Sequence, residues 1–112
     1  MKSKTTGFVG EAIAVNYLKS NGYVILETNY TNQLGEIDII AKYKNIIVFL
    51  EVKTRTSGKF GYGREAVDSR KQNKIRLVAT GYLKYKRLID AACRFDVIEI
   101  TDDNIEHIEN AF

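Results

Sequence analysis

Three charged side chains lie in a stretch of the chain that is otherwise apolar. Asp38 stands between two isoleucines, and Glu51 and Lys53 follow the apolar run 46–50. The composition of 36–54 predicts two strands joined by a tight turn at 44–45. Side chains alternate between the faces of a strand, so Glu51 and Lys53 share one face. Because unpaired charges are costly inside a protein, these three residues indicate a functional site.

The three side chains suit the hydrolysis of a phosphodiester. An Asp and a Glu on adjacent strands can share a hard divalent cation such as Mg²⁺ through oxygen atoms. Lys53 can hold or help deprotonate the attacking water, or stabilise charge on the phosphate. Glu11, on a predicted helix, can position water in the outer shell of the metal. Two alternatives stay open: a Glu51–Lys53 ion pair on a solvent-facing strand, and a Glu11 that simply reaches water.

The elements that must position these residues follow from periodicity and capping. A first helix is expected from Thr5 or Thr6 to about Ser20. The residues that recur at helical spacing and should face the core are Phe8, Glu11, Ala12, Val15 and Leu18. Strands are expected at 23–30, 36–42 and 46–54, with a polar turn at 31–35, and they should form an antiparallel meander. Asp68 should cap a second helix from Ser69 to about Tyr85, followed by strands at 92–100 and 105–108.

These elements predict one α/β domain spanning residues 1–112, with a mixed central sheet of about five strands flanked by helices. The strand at 92–100 should lie parallel to the Glu51 strand. Within that strand, Asp96 is expected to make a structural hydrogen bond and Cys93 to be a small buried residue.

Positive charge is concentrated in one third of the chain. Residues 53–87 contain eleven Lys or Arg and two acids, whereas the whole chain has a net charge of +3. Such a distribution favours a polyanionic partner, although a solvated basic helix without a partner is the alternative. Lys71 lies near the start of the second helix on its buried stripe, so we expect it to face the site. Lys74 should be exposed beside it.

A glycine-rich segment at 56–63 adds Lys59 and Phe60. A basic, aromatic loop of this kind can follow a phosphate backbone and stack a base. An ordinary loop without a ligand is equally compatible with the composition.

The cellular setting is predicted from what the sequence lacks. No apolar run approaches the ~20 residues of a membrane helix, and the apolar part of the N-terminal region is interrupted by charged and polar residues, unlike a secretory signal. A single cysteine excludes an internal disulfide. We therefore expect a cytoplasmic protein with no membrane partner.

Motifs along nearly the whole chain resemble the YraN-like family of small bacterial proteins. They are Gly10-Glu11 with Ala14 and Tyr17-Leu18, Gly35-Glu36-Ile37-Asp38-Ile39-Ile40-Ala41, Phe49-Leu50-Glu51-Val52-Lys53-Thr54-Arg55, Phe60-Gly61, Glu65-Ala66-Val67 with Lys71, Arg94-Phe95-Asp96-Val97 and Asn110-Ala111-Phe112. That family is similar to the PD-(D/E)xK nucleases, with a layout like that of archaeal Holliday-junction resolvases.

The resemblance implies a restriction-endonuclease-like fold and a metal-dependent endonuclease acting on DNA, including branched or damaged DNA. Asp38, Glu51 and Lys53 match the motif of the superfamily, and Glu11 matches the helical Glu of the resolvases. Ile37 stands where the motif has proline. The implied cation is Mg²⁺ or Mn²⁺, held by Asp38, Glu51 and the Val52 carbonyl.

The implied contacts to nucleic acid come from Arg55, Lys59, Phe60, Lys71 and Lys74. A homodimer would suit a two-armed substrate. A nucleic-acid-binding module that keeps the fold but does not cut is the alternative, and an interaction or assembly protein without salt-dependent affinity for DNA is a third.

Overall fold

The computed structural model describes residues 2–55, 68–102 and 104–112. Within these ranges the chain forms two helices and five strands. They are, in chain order, α1 (Lys2–Ser20), β1 (Val24–Asn32), β2 (Gly35–Tyr43), β3 (Ile46–Arg55), α2 (Ser69–Tyr85), β4 (Ala92–Thr101) and β5 (Asn104–Ile108).

The five strands form one mixed sheet in the spatial order β1-β2-β3-β4-β5. The first three make the expected antiparallel meander. After α2 the chain returns to pair β4 parallel to β3, and β5 runs antiparallel to β4. The predicted α/β class is confirmed, and the architecture is consistent with a restriction-endonuclease-like fold.

Strand β3 is buried on both sides because a helix covers each face of the sheet. Its residues alternate between two apolar clusters, with Ile47 and Phe49 in one cluster and Val48 and Leu50 in the other. The first cluster includes the buried stripe of α2, which is Ile75, Val78, Ala79 and Tyr82. The second includes Ala14 and Leu18 of α1. This packing fixes β3, the strand that carries Glu51, at the centre of the molecule.

Helix α1 differs from its prediction in its start and in its buried face. It begins at Lys2, because a Thr that can cap a helix does not oblige the helix to start there. Ala12 is exposed, whereas Gly10 and Ala14 are buried. A Cβ at position 10 would collide with Thr54 Oγ1 of β3, so glycine lets the helix approach the sheet closely. The side chain of Phe8 lies outside the described residues.

Two smaller expectations were wrong. Thr31 and Asn32 belong to β1 and Gly35 to β2, so the predicted polar turn is reduced to the two residues 33–34. Cys93 is exposed, because it lies near the start of β4, where no residue before Asp96 is buried.

Neither helix in the described part of the chain is long and apolar enough to cross a membrane.

Candidate functional site

Asp38 lies where the pairing of β2 with β3 ends. The antiparallel register runs from Tyr43–Ile46 to Ile39–Leu50 and stops there. Beyond that point the Asp38 carboxylate accepts a hydrogen bond of 2.8 Å from the backbone N–H of Val52. In an extended strand the N–H and C=O of one residue point to the same side, so the Val52 carbonyl also points toward β2. The open end of the ladder therefore brings a carboxylate and a backbone carbonyl to the same cleft.

Glu51 is a buried carboxylate on the α2 side of β3. Its Oε1 atom lies 3.5 Å from the Lys71 ammonium of α2. Burial raises the pKa of Glu51 from 4.5 to about 7, the negative charge of Asp38 adds to the rise, and Lys71 and Lys53 oppose it. A buried carboxylate with a second carboxylate close by attracts positive charge strongly.

Lys53 is half-buried on the same strand, two residues beyond Glu51. Burial lowers the pKa of its ammonium, the neighbouring charge of Lys71 lowers it further, and Glu51 opposes the change. A lysine with a depressed pKa releases and accepts a proton more readily near neutral pH than a solvated one. Glu51 and Lys53 lie close enough to affect each other's pKa, but Glu51 is buried, so the alternative of an ion pair on a solvent-facing strand does not describe them.

An open pocket of about 300 Å³ joins Asp38, Glu51 and Lys71 to solvent. It is lined by Gly35, Glu36, Asp38, Glu51, Lys71, Lys74 and Ile75. One wall carries the carboxylates of β2 and β3, and the other carries the exposed lysines from the first two turns of α2. The backbone of α2 is fixed at this end because Asp68 accepts a hydrogen bond from Lys71 N–H.

Helix α1 brings Glu11 toward the same place. Burial raises the pKa of Glu11, with Asp38 and Glu36 adding to the rise, so its carboxylate lies within electrostatic range of both. Asn29 of β1 donates a 2.9 Å hydrogen bond from Nδ2 to Glu11 Oε1, which opposes the rise. Glu11 therefore does more than reach water at the edge of the apolar stripe.

Asn29 is a residue that sequence reasoning missed. Its φ of 53° lies in the left-handed region, which asparagine tolerates better than most side chains. Its amide reaches Glu11 of α1. An asparagine in a polar strand is a weak signal, and only the tertiary contact with Glu11 identifies it.

The donor set fits a hard divalent cation. Asp38, Glu51 and the Val52 carbonyl offer only oxygen atoms, which suit Mg²⁺ or Mn²⁺ and not a zinc site. Among the described residues no group of three or more His, Cys, Asp or Glu side chains gathers as a metal cluster. Mg²⁺ usually takes one or two protein carboxylates and keeps several waters, so two carboxylates are sufficient for it.

The residues predicted to contact nucleic acid do not all lie at the same pocket. Lys71 and Lys74 both line the pocket. Arg55 lines another pocket, of about 290 Å³, and its Nε lies 3.6 Å from Glu99 Oε2. Lys59 and Phe60 lie outside the described residues, as do the rest of the predicted loop and the motif at 65–67.

A second polar cluster lies on the α1 side of the sheet. Asp96 is fully buried and accepts hydrogen bonds from Arg94 Nε and from the backbone N–H of Asn110, both 2.9 Å long. His107 Nε2 lies 2.7 Å from the same carboxylate, and its Nδ1 lies 3.0 Å from the Tyr17 hydroxyl. The expectation that Asp96 makes a structural hydrogen bond is confirmed. The cluster ties α1 to β4 and β5.

Comparison with known proteins gives the family. The chain matches the family described as "Uncharacterised protein family UPF0102" over residues 10–100. The UPF0102 protein of Alkaliphilus oremlandii is 51% identical over 116 residues, covering 98% of this chain and 99% of the relative. That of Clostridioides difficile is 49% identical over 114 residues and covers both chains completely. That of Caldanaerobacter subterraneus is 49% identical over 119 residues, covering 100% of this chain and 98% of the relative.

The match covers most of the chain and includes Glu11, Asp38, Glu51 and Lys53. On these grounds the protein belongs to the UPF0102 family, the YraN-like family that its motifs resemble.

Proposed function

We propose that this protein is a metal-dependent endonuclease that hydrolyses phosphodiester bonds in DNA, with branched or damaged DNA as its substrate class. The observation that carries the proposal is the convergence of Asp38, Glu51 and Lys53. Two carboxylates and a lysine from adjacent strands meet at one end of the sheet, beside an open pocket with a lysine-bearing wall.

Asp38, Glu51 and the Val52 carbonyl are the groups that would hold Mg²⁺ or Mn²⁺. The hydrogen bond from Val52 N–H fixes the orientation of the Asp38 carboxylate, and the packing of β3 between two apolar clusters fixes Glu51. When bound, a cation of this kind polarises a phosphate oxygen and acidifies a water molecule.

Lys53 handles the proton and the developing charge. Its depressed pKa suits transfer of a proton from the attacking water, and its ammonium form stabilises negative charge on the phosphate. Glu11, held by the Asn29 amide, is placed to orient water on the α1 side of Asp38. These roles need the side chains to be held firmly, and each one lies on a helix or strand rather than on a loop.

The lysine wall supports a nucleic-acid substrate. Lys71 and Lys74 project from the start of α2 into the pocket, where a phosphate can meet both their charges and the positive end of the helix dipole. Arg55, Lys59 and Phe60 remain nucleic-acid contacts predicted from the sequence. A two-fold dimer for a two-armed substrate, and a cytoplasmic location, remain predictions from the sequence.

A cleavage panel tests the proposal. Linear, flapped and four-way-junction DNA, together with an RNA duplex, are incubated with the protein in Mg²⁺ or Mn²⁺ and analysed on denaturing gels. We expect strand cleavage of at least one DNA substrate, lost in EDTA and in Glu51→Ala, and retained in Asp90→Ala, which removes an exposed acid beyond the far end of α2.

The panel also separates an enzyme from a binding module. Lys53→Ala should abolish cleavage and leave DNA binding intact. A wild-type protein that binds every DNA substrate but cuts none in either metal would reject the nuclease and favour the non-catalytic module. Cleavage that persists unchanged in Glu51→Ala would reject the proposed metal centre as its source.

A further inference from the structure

The contact between Lys71 and Glu51 places a cation of the protein on a proposed metal ligand. The two groups lie 3.5 Å apart, and the side chain of Glu51 is 7% exposed whereas that of Lys71 is 48% exposed. We propose that Lys71 competes with the divalent cation for the Glu51 carboxylate, so that cation binding turns Lys71 away from Glu51 and toward a substrate phosphate. The inference rests on the proposed metal centre and assigns to Lys71 a second role in it.

Electrostatic repulsion disfavours simultaneous binding of the Lys71 ammonium and the divalent cation to Glu51. A divalent ion held by Asp38 and Glu51 would lie within a few ångströms of any ammonium that touches the same carboxylate. The two positive charges would repel each other in a partly buried place, where screening by water is weak. Glu51 lies on the buried floor of the pocket. Binding of one cation therefore weakens binding of the other.

The geometry of Lys71 allows the exchange without rearrangement of the fold. Its backbone is fixed in the first turn of α2 by the Asp68 cap. Its side chain is long, flexible and half exposed, so the ammonium can change partners by side-chain rotation alone. Lys53 lies close enough that its own pKa is lowered by Lys71, so departure of Lys71 also relieves repulsion between the two lysines.

The exchange links metal binding to substrate binding. A lysine that leaves Glu51 becomes available to a phosphate in the same pocket, which is also lined by Lys74. By thermodynamic reciprocity, a phosphate that attracts Lys71 away from Glu51 strengthens metal binding to the same extent. In this arrangement the cation and the nucleic acid bind cooperatively.

Direct metal binding tests the competition without measuring cleavage. Isothermal titration calorimetry with Mn²⁺ is performed at pH 8.5, where Glu51 is ionised, on the wild type, Lys71→Met, Lys71→Arg and Lys74→Met. Lys74→Met is the matched control because it removes an equal charge from the same pocket. We expect Lys71→Met to bind Mn²⁺ about tenfold more tightly than the wild type, and Lys74→Met and Lys71→Arg to stay much closer to it. Circular dichroism checks that each variant folds.

The outcomes separate this inference from the proposed function. Equal Mn²⁺ affinity in the wild type and in Lys71→Met overturns the competition and leaves the nuclease proposal intact. If Lys71→Met and Lys74→Met increase the Mn²⁺ affinity equally, the increase comes from the lower positive charge of the pocket. This result would also overturn the proposed competition for Glu51. Tightening confined to Lys71→Met, in a protein that cleaves no substrate, supports the competition and rejects the nuclease. No Mn²⁺ binding by any variant rejects both.

Discussion

Replacing Glu51 by glutamine should make the protein more stable at alkaline pH. Burial, together with the charge of Asp38, raises the pKa of Glu51 from 4.5 to about 7 against the opposing effect of Lys71. The folded protein therefore holds this proton more tightly than the unfolded chain. Its stability falls as the pH rises from 4.5 to 7 and remains lower at higher pH. At roughly 1.4 kcal/mol per pKa unit, the loss is about 3 kcal/mol.

Glutamine does not titrate, so Glu51→Gln escapes this loss. Loss of the ion pair between Glu51 and Lys71 lowers the free energy of unfolding only slightly, because the Lys71 side chain is half exposed. For a domain of this length each kcal/mol moves the Tm by about 4 °C, so the variant should melt roughly 10 °C above the wild type at pH 8 in EDTA. At pH 4, where Glu51 is protonated in both states, the two proteins should melt together. Melting curves by circular dichroism at pH 4, 6 and 8 measure the difference.

The change in Tm on addition of Mg²⁺ is a second measurement on the same samples. Mg²⁺ should raise the Tm of the wild type at pH 8 and leave that of Glu51→Gln nearly unchanged, since a ligand stabilises only the state that binds it. Glu36→Gln is the matched control because it removes an exposed acid from the same pocket. The reasoning is refuted if Glu51→Gln is less stable than the wild type at pH 8, or if Glu36→Gln shows the same pH-dependent gain.

Three further changes test other parts of the site and fold. Lys53→Ala should lower the cleavage rate at least 100-fold, the scale of a lost proton-transfer or charge-stabilising group, while DNA binding measured by gel shift persists; loss of both together would assign Lys53 to binding. Asn29→Gly keeps the left-handed backbone accessible but removes the amide, so NMR titration should show a raised pKa for Glu11, and an unchanged pKa would mean that the amide does not hold Glu11. Asp96→Asn removes the fully buried charge that pairs with Arg94, which keeps only the Tyr23 hydroxyl and the exposed Glu109 as partners, and should cost about 3 kcal/mol in urea unfolding at pH 7. A cost below about 1 kcal/mol would contradict a stabilising buried ion pair.

The Asp96 cluster also gives a pH dependence of known sign. Burial by itself raises the pKa of Asp96, but hydrogen bonds from His107, Arg94 and the Asn110 backbone outweigh it and hold the pKa below its ordinary value of 3.8. The stabilisation that Asp96 provides is therefore complete above that value and is lost as the pH falls further. Because Asp96 lies away from the pocket, this acid loss should appear unchanged in Glu51→Gln.

Local patterns were sufficient to predict most of the fold. Apolar strands alternate with turn residues, and α2 begins at the Asp68 cap and presents an apolar stripe at helical spacing. The order of elements, the parallel return of β4 and the two-sided burial of β3 follow from these patterns. Helix α1 was less predictable, because its closest approach to the sheet depends on Gly10 fitting against Thr54.

The carboxylates of the site were predictable from the sequence, but the hydrogen bonds that orient them were not. Charges between isoleucines stand out in any sequence, which is why Asp38 and Glu51 could be identified. The bond from Val52 N–H to Asp38 depends on where the β2–β3 ladder ends, and the bond from Asn29 to Glu11 depends on a left-handed residue in an edge strand. Tertiary geometry sets both, and no local spacing encodes it.

Partners far apart in the chain were the hardest to predict. Tyr17 and His107 are 90 positions apart and meet only because the sheet places β5 near α1. Arg55 lies in the expected strand opposite Thr101, yet its Nε atom lies 3.6 Å from Glu99, which is opposite Lys53 in the parallel ladder. This ion pair was not evident from the sequence.

Paramagnetic broadening by Mn²⁺ can locate the metal centre proposed between β2 and β3. Substoichiometric Mn²⁺ is added to ¹⁵N-labelled protein, and the loss of amide signals is mapped in two-dimensional NMR spectra. We expect broadening centred on Asp38, Glu51 and Val52 and spreading to the start of α2, and its loss in Glu51→Ala. Broadening centred elsewhere, or signals around Val52 that Mn²⁺ leaves sharp, would contradict a metal centre between these strands.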